Sequence, residues 1–191
     1  MKKLYTTLMV LLLAAVVPAL FVSCDWDDDE EIAYTLEGTW KGNMEVYSYW
    51  DGRQYDATYT EITFLRDPYT YSSGDGYWVD YYSGAPWDYV ANHITWRVDF
   101  GDIIIWFREE GTSVRIRDYR LNDNHFRGWL EDGDNDVHFD LIHVSSPNWG
   151  YYDHWGYDSR YNRYYSRTRS ADADSTETIE KPVRHFGKLG N

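Results

Sequence analysis

Apolar and polar residues alternate along residues 36–144, and turn-forming residues interrupt the alternation at short intervals. A period of two places alternate side chains on one face of an extended strand. The Asp51-Gly52 pair is typical of a two-residue hairpin turn. The pattern therefore predicts about eight short strands, each joined to the next by a tight turn. The clearest apolar series is Ile94, Trp96, Val98 and Phe100.

Short connections determine how these predicted strands are arranged. Strands that follow one another through tight turns form an antiparallel up-and-down meander. A sheet of about eight strands can close into a small barrel, which leaves no exposed sheet edge. We therefore predict an all-β fold with a barrel over residues 36–144. A two-sheet β-sandwich is the alternative, since the sequence does not show whether the sheet closes.

The N-terminal segment has the parts of a secretory signal peptide. Two lysines near the start are followed by an apolar run over residues 8–17, which Pro18 ends. The run is too short to cross a membrane as a mature helix. We therefore predict that residues 1–23 are a signal peptide. Cleavage by an ordinary signal peptidase near Ser23 is the alternative to lipoprotein processing.

The chain has a single cysteine, so an internal disulfide is excluded and the fold must depend on its core. The segment Phe21-Val22-Ser23-Cys24 resembles a bacterial lipobox, in which a small residue precedes the cysteine that accepts diacylglycerol. The resemblance implies that Cys24 becomes the lipidated first residue of the mature protein. Several acyl chains on one residue anchor a protein stably to a membrane.

An acidic run, residues 25–31, follows the cysteine directly. It resembles the export signal of Bacteroidetes surface lipoproteins, and this resemblance implies an outer-membrane location on the cell surface. The alternative is the periplasmic face, with the run acting only as a solvated spacer. Because like charges repel one another, residues 24–35 are expected to form an extended, lipidated acidic tether.

The start of the patterned region contains Gly38 and Trp40 in a Gly-x-Trp arrangement within residues 36–42. This arrangement resembles the first strand of lipocalin-like domains. The whole of residues 36–144 is similar to small lipocalin-like lipoproteins of Bacteroidetes. The resemblance implies that Trp40 is a core residue that fills the closed end of the barrel.

Charge and motifs exclude several functions. The net charge of −14 argues against a nucleic-acid partner, because phosphate binding needs a basic surface. No Gly-x-Ser-x-Gly elbow, zinc-binding His-Glu-x-x-His or phosphate loop occurs, so no enzymatic activity and no cofactor are expected. Asp132, Asp134 and Asp136 have the spacing that begins a calcium loop. The match stops there and a hairpin turn explains these residues, so no metal site is expected.

Aromatic residues are abundant, with 19 Tyr and 10 Trp. Exposed rings can stack on sugars, and rings near loops and strand ends are the candidates for ligand contact. The alternative is that these rings seal one end of the barrel. The candidate ligand-contacting residues are Trp50, Trp78, Tyr81, Tyr82, Trp87 and Tyr89.

Four arginines lie close together in neighbouring predicted strands of an otherwise acidic region. They could form a site for an anionic ligand. The alternative is cross-strand pairing with Glu109, Glu110 and Asp118. The four are Arg115, Arg117, Arg120 and Arg127.

The composition changes after the predicted barrel. Residues 145–165 are rich in tyrosine and tryptophan without a visible period, and we expect an aromatic-rich flap or tail. Residues 166–191 are polar and low in apolar content, which is typical of a disordered tail.

These features predict a non-enzymatic lipoprotein at the cell surface with a binding or adhesion role. The alternative is a glycan-binding lipoprotein that assists polysaccharide uptake. The expected partners are the membrane, reached through the N-terminal lipid anchor, and a glycan or small ligand. The oligomeric state is left open by the sequence.

Overall fold

The computed structural model describes residues 25–133, 135–144, 155–157 and 182–187. Within these ranges one helix, α1 (Asp25–Leu36), precedes twelve strands. The strands are β1 (Gly38–Asn43), β2 (Val46–Trp50), β3 (Arg53–Asp56), β4 (Tyr59–Arg66), β5 (Ser73–Tyr81), β6 (Tyr89–Asp99), β7 (Asp102–Phe107), β8 (Thr112–Leu121), β9 (His125–Asp132), β10 (Asn135–Val144), β11 (Gly156–Tyr157) and β12 (Val183–Phe186).

Eight of the strands, β1 and β4 to β10, form a closed antiparallel barrel. From β4 to β10 each strand pairs with the next one in the chain, and β1 closes the ring by pairing with both β4 and β10. Trp40 on β1 thereby lies opposite Ile62 on one side and His143 on the other. The predicted all-β up-and-down barrel is confirmed, and the two-sheet sandwich is excluded.

Inward-facing side chains fill the barrel along its length. The buried apolar residues form one continuous cluster that includes Leu36 near one end and Phe186 near the other. Trp40 is fully buried, and its indole Nε1 donates a hydrogen bond of 2.8 Å to the carbonyl of Leu36. Its ring meets that of Phe126 edge-on, with centroids 5.7 Å apart. Trp40 is therefore the core residue that the resemblance to lipocalin-like domains implied.

The alternating pattern fails at Phe100, which the sequence places on the same face as Trp96 and Val98. Those two residues are buried, whereas 82% of Phe100 is exposed. Phe100 and Gly101 occupy the turn between β6 and β7, with φ angles of 52° and 82°. A two-residue hairpin turn of this type requires positive φ at both positions. The strand thus ends at Asp99, and turn geometry overrides the apolar pattern.

Residues 25–36 form helix α1 instead of the expected extended tether. Ala33 and Leu36 are fully buried in the core cluster, so the helix gains apolar burial that a tether lacks. The carboxylate of Asp29 accepts hydrogen bonds from the backbone N–H groups of Phe100 (3.1 Å) and Gly101 (2.8 Å). These contacts attach the helix to the turn between β6 and β7. Helix α1 therefore covers one end of the barrel, which we call the helix end.

Tyr119 on β8 belongs to the helix end as well. Its hydroxyl donates a hydrogen bond of 2.6 Å to the carbonyl oxygen of Gly101. Burial, followed by the negative charges of Asp29 and Asp102, raises the pKa of the Tyr119 hydroxyl above its usual range. The hydroxyl is thus held in its neutral, hydrogen-donating form.

A three-stranded sheet covers the opposite end, which we call the mouth of the barrel. Its central strand, β2, pairs with β3 and with β12, and we call the three strands the covering sheet. Asp51 and Gly52 join β2 to β3 with φ angles of 51° and 68°, so the predicted hairpin turn is confirmed. The hairpin departs from the barrel between β1 and β4, and in β12 Arg184 lies opposite Ser48 of β2.

The expectation of disorder over residues 166–191 does not hold for residues 182–187, which contain β12. The polar composition of this stretch conceals two buried side chains, Arg184 and Phe186, that attach it to the mouth. Within residues 145–165, the short strand β11 pairs with β6. The remaining tail positions, the predicted signal peptide and Cys24 lie outside the described residues. In the described part of the chain, no helix combines the length and apolar character needed to cross a membrane.

Candidate binding sites

The mouth contains a charged cluster whose members come from distant parts of the chain. Asp80 lies near the end of β5 and points inward, as the alternation with outward-facing Tyr77 and Tyr81 requires. Thr60 Oγ1 and Trp78 Nε1 donate to Asp80 Oδ1, over 2.6 Å and 2.9 Å. Asp80 is completely buried, and these two hydrogen bonds from barrel residues orient its carboxylate.

The guanidinium of Arg184 reaches this carboxylate from β12. Its Nη2 lies 2.7 Å from Asp80 Oδ2, and its Nη1 lies 3.1 Å from Glu110 Oε1. Glu110 stands in the connection between β7 and β8, and Asn92 Nδ2 on β6 donates to the same Glu110 oxygen over 2.9 Å. The side chain of Arg184 is 2% exposed, so water screens these interactions weakly.

Aromatic rings complete the surroundings of the guanidinium. The Arg184 guanidinium carbon lies 4.7 Å from the ring centroid of Phe107 and 6.0 Å from that of Trp78. Both distances allow attraction between the cation and the ring face. Phe186, two residues further along β12, packs edge-on against Trp78 with centroids 5.9 Å apart. We call this group the mouth site: Thr60, Trp78, Asp80, Asn92, Phe107, Glu110 and Arg184.

The aromatic candidates from the sequence lie around the same end of the barrel. Trp87 is fully buried and forms a small cluster with Tyr82 and Val90, against which Trp50 packs. The rings of Trp50 and Trp87 meet edge-on with centroids 6.0 Å apart. The hydroxyl groups of Tyr82 and Ser48 form a hydrogen bond of 3.1 Å. This arrangement matches the alternative in which the rings seal one end of the barrel.

The remaining candidates differ in exposure. Trp78 is fully buried inside the mouth, whereas Tyr81 and Tyr89 are half-buried. Tyr81 stacks on Tyr59 with ring centroids 4.4 Å apart, on the outside of the barrel. Ligand contact by the six residues stays a prediction, and the half-buried Trp50, Tyr81 and Tyr89 are the members that retain exposed surface.

A groove of about 820 Å³ runs along the outer wall of the barrel across β4 to β8. Thr95, Trp106 and Ser113 lie side by side in register on three adjacent strands and all line it. Trp106 is 47% exposed. The other lining residues are Leu65, Arg66, Asp67, Pro68, Ser73, Gly74, Asp75, Trp96, Arg97, Ile104.

The groove has charged borders and was not identified from the sequence. Arg97 and Asp75 are both largely exposed, and each forms an ion pair, with Asp99 and Arg108 respectively. Trp106 belongs to an apolar run, residues 103–107, in which every second side chain must face outward. This alternation was the signal in the sequence from which an exposed Trp106 on the outer wall could have been predicted.

Within the part of the chain that the structure describes, two of the four clustered arginines pair with acids, although not with the acids expected. Arg117 lies 2.5 Å from Glu131 and 3.2 Å from Asp136, and Arg115 lies 3.6 Å from Asp102. Arg120 and Arg127 stand opposite each other on β8 and β9. The expected acids Glu109 and Glu110 contact His93 and Arg184 instead.

The predicted turn at Asp132 and Asp136 is present between β9 and β10, and Asp134 lies outside the described residues. Across the described ranges, no group of three or more His, Cys, Asp or Glu side chains has an arrangement able to hold a metal ion.

Comparison with known proteins identifies the family. A family model described as a lipocalin-like domain matches residues 23–128. No curated protein matches the chain. Among solved structures, a redesigned β-barrel covers 60% of this chain and 95% of its own length at 13% identity, with a TM-score of 0.39. Since the family model spans more than half of the 191 residues, the chain belongs to the lipocalin-like domain family, whose members are generally binding or transport proteins rather than enzymes.

Proposed function

We propose that the protein is a non-enzymatic, lipid-anchored binding protein displayed on the surface of a bacterial outer membrane. The lipobox-like segment that ends in Cys24 supports the lipid anchor, and the acidic run that follows it supports the location on the cell surface. The lipocalin-like fold supports the binding role. Helix α1 joins β1 through Glu37 alone, so the barrel stands within one helix length of the anchored residue.

The observation that carries the binding role is the contrast between a filled interior and an open outer wall. The interior cluster includes three fully buried rings, Trp40, Trp78 and Phe107, in the space where a deep cavity would lie. The groove on the wall is open and contains the half-exposed ring of Trp106. A ligand is therefore expected on the outside of the barrel.

The lining of the groove favours a glycan as the ligand class. The ring of Trp106 offers an apolar face, and the hydroxyl groups of Thr95 and Ser113 flank it in register. Arg97 and Asp75 add charged hydrogen-bonding groups at the border. A flat ring beside several donors and acceptors complements a sugar, which has apolar C–H faces and hydroxyl edges.

A glycan-array screen followed by titration tests the ligand class. Trp106→Ala should weaken binding of the best glycan by about tenfold or more, because the stacking ring is lost. Trp129→Ala is the matched control, since Trp129 is 43% exposed on β9 and lies outside the groove. An array without a binder, or equal losses in both variants, contradicts the glycan assignment.

Cell fractionation tests the anchor. Cys24→Ala removes the residue that would accept the lipid, so the protein should move from the membrane fraction to the soluble fraction. Replacing Asp25, Asp27 and Asp28 by Asn should leave the protein in the membrane fraction but protect it from protease added to intact cells. Asp29 is left unchanged because it holds the turn between β6 and β7. An unchanged distribution of Cys24→Ala refutes the anchor.

A further inference from the structure

The mouth site has the properties of a ligand site that is already occupied. We propose that the mouth of the barrel recognises a guanidinium group carried by an extended peptide, and that residues 182–187 are such a peptide, bound within the same chain. The proposal concerns a different surface from the outer groove and does not depend on glycan binding or on the lipid anchor.

The barrel orients Asp80 for an incoming cation. Thr60 and Trp78 both donate to Oδ1, so this oxygen is satisfied by barrel residues. The other oxygen, Oδ2, contacts Arg184 of β12. Without β12, Asp80 would lose the cation that contacts this oxygen. An ionised carboxylate in such surroundings is stabilised strongly by a cation.

The charge of the mouth site exceeds what Arg184 neutralises. Asp80 and Glu110 contribute two carboxylates, and Arg184 supplies one guanidinium. Asn92, which is completely buried, adds an amide oxygen with no hydrogen-bond partner among the described residues. The mouth site therefore carries one more negative charge than Arg184 neutralises, and an amide oxygen that Arg184 does not use.

The geometry favours a guanidinium over an ammonium group. Nη2 and Nη1 of Arg184 contact carboxylates from two different elements, β5 and the connection after β7. The ring of Phe107 lies 4.7 Å from the guanidinium carbon. A planar group with several fixed donors can satisfy both carboxylates while it stacks on a ring, whereas the ammonium of lysine is a compact point charge.

The covering sheet supplies the peptide part of the recognition. β12 adds to the edge of β2 as an antiparallel strand, and its side chains alternate between the mouth and the solvent. Arg184 and Phe186 are buried, while 56% of Val183 is exposed and His185 is half-buried. The site thus selects an extended strand with arginine and, two positions later, an aromatic residue.

A labelled peptide with the sequence of residues 181–188 tests the proposal by fluorescence anisotropy against the full-length protein. Arg184→Ala vacates the guanidinium position and should bind the peptide at least about tenfold more tightly than the wild type, whose own segment competes. The same peptide with citrulline in place of arginine is the control. Citrulline keeps the shape and loses the charge, so its affinity should fall by about tenfold or more.

A second variant covers the case in which Arg184→Ala does not fold. Phe186→Ala leaves the carboxylates and Arg184 in place but removes the apolar contact of β12, so added peptide should displace the segment more readily than in the wild type. Val183→Ala is the control on the outward side of the same strand, since 56% of Val183 is exposed, and it should behave like the wild type.

Two results overturn the proposal. One is equal binding of the arginine and citrulline peptides to Arg184→Ala or Phe186→Ala. The other is peptide binding that survives Asp80→Asn in the Phe186→Ala background, because the site would then not depend on its central carboxylate.

Discussion

Helix α1 closes one end of the barrel with apolar side chains, whereas the covering sheet closes the other with a guanidinium held between carboxylates. At the helix end, Ala33 and Leu36 extend the core, and Asp29 binds backbone N–H groups of the nearest turn. At the mouth, Arg184 brings a charge into the interior beside Asp80. Each end is thus covered by a segment outside the ring of strands, one through apolar contacts and the other through buried charges.

This difference suggests that one end contributes mainly to the stability of the fold and the other mainly to selectivity for a partner. Apolar burial stabilises a fold in proportion to area and accepts many shapes. A buried ion pair adds little net stability, because desolvation of both partners offsets their attraction, but it penalises an incorrect partner strongly. The helix end is therefore expected to determine how stable the barrel is. The mouth is expected to determine what the barrel accepts.

The largest effect is expected from removing the main ring of the helix end. Trp40→Ala should lower the free energy of unfolding by about 3–5 kcal/mol, because it leaves a cavity in the core and frees the carbonyl of Leu36. Urea denaturation measures the change. Tyr69→Ala is the control, since 88% of Tyr69 is exposed, and it should stay within about 0.5 kcal/mol of the wild type. Similar losses in both variants contradict a stabilising role for the helix end.

Breaking the ion pair at the mouth should have the next largest effect. Asp80→Asn leaves Arg184 beside fewer charges and should lower the free energy of unfolding by about 3 kcal/mol. Asp75→Asn, on the exposed part of the same strand, should change it by less than about 1 kcal/mol.

The double variant Asp80→Asn with Arg184→Met sharpens the comparison of the two ends. Removing both charges should recover most of the loss caused by Asp80→Asn, because no uncompensated charge remains. A double variant that loses the sum of both single effects would show that the mouth contributes stability in its own right. Urea denaturation of all three variants completes the cycle.

A smaller effect is expected from the polar contacts of the helix end. Asp29→Ala removes the acceptor for the N–H groups of Phe100 and Gly101 and should cost about 1–2 kcal/mol. Asp28→Ala, one residue earlier on the exposed side, is the control and should have no measurable effect. Amide hydrogen exchange at Gly101 reports the contact directly. Unchanged protection in Asp29→Ala contradicts it.

The smallest effect concerns Tyr119 at high pH. Its pKa is raised in the folded state, so its contribution to stability is fully present below the ordinary tyrosine pKa, near pH 10, and is lost as the pH rises through the folded-state value. Tyr119→Phe should be less stable than the wild type by about 1 kcal/mol at neutral pH, and the difference should shrink above about pH 10. A constant difference over this range contradicts the assignment.

The barrel could be predicted from the sequence because the patterns that indicate strands and turns are local. A period of two and turn pairs such as Asp51-Gly52 determine strands, faces and connections, and each is visible over a few residues. The family resemblance located Trp40 at the core for the same reason. Phe100 was misplaced because a turn with positive φ angles interrupts the pattern without changing its apolar character.

The mouth site could not be predicted because its contacts are long-range. Asp80, Glu110 and Arg184 are far apart in the chain, and each looks like an ordinary surface charge in its own segment. Helix α1 was missed for a related reason. Its burial depends on contacts of Ala33 and Leu36 with strands that lie much further along the chain. Average composition conceals such anchors when only one or two side chains per segment are buried.

The order of the strands makes docking of β12 a step separate from closure of the ring. The ring of strands is complete when β10 pairs with β1, yet β12 begins only at Val183. A barrel whose ring closes first has Asp80 without the guanidinium of Arg184. In that state β12 competes with any arginine-bearing strand nearby.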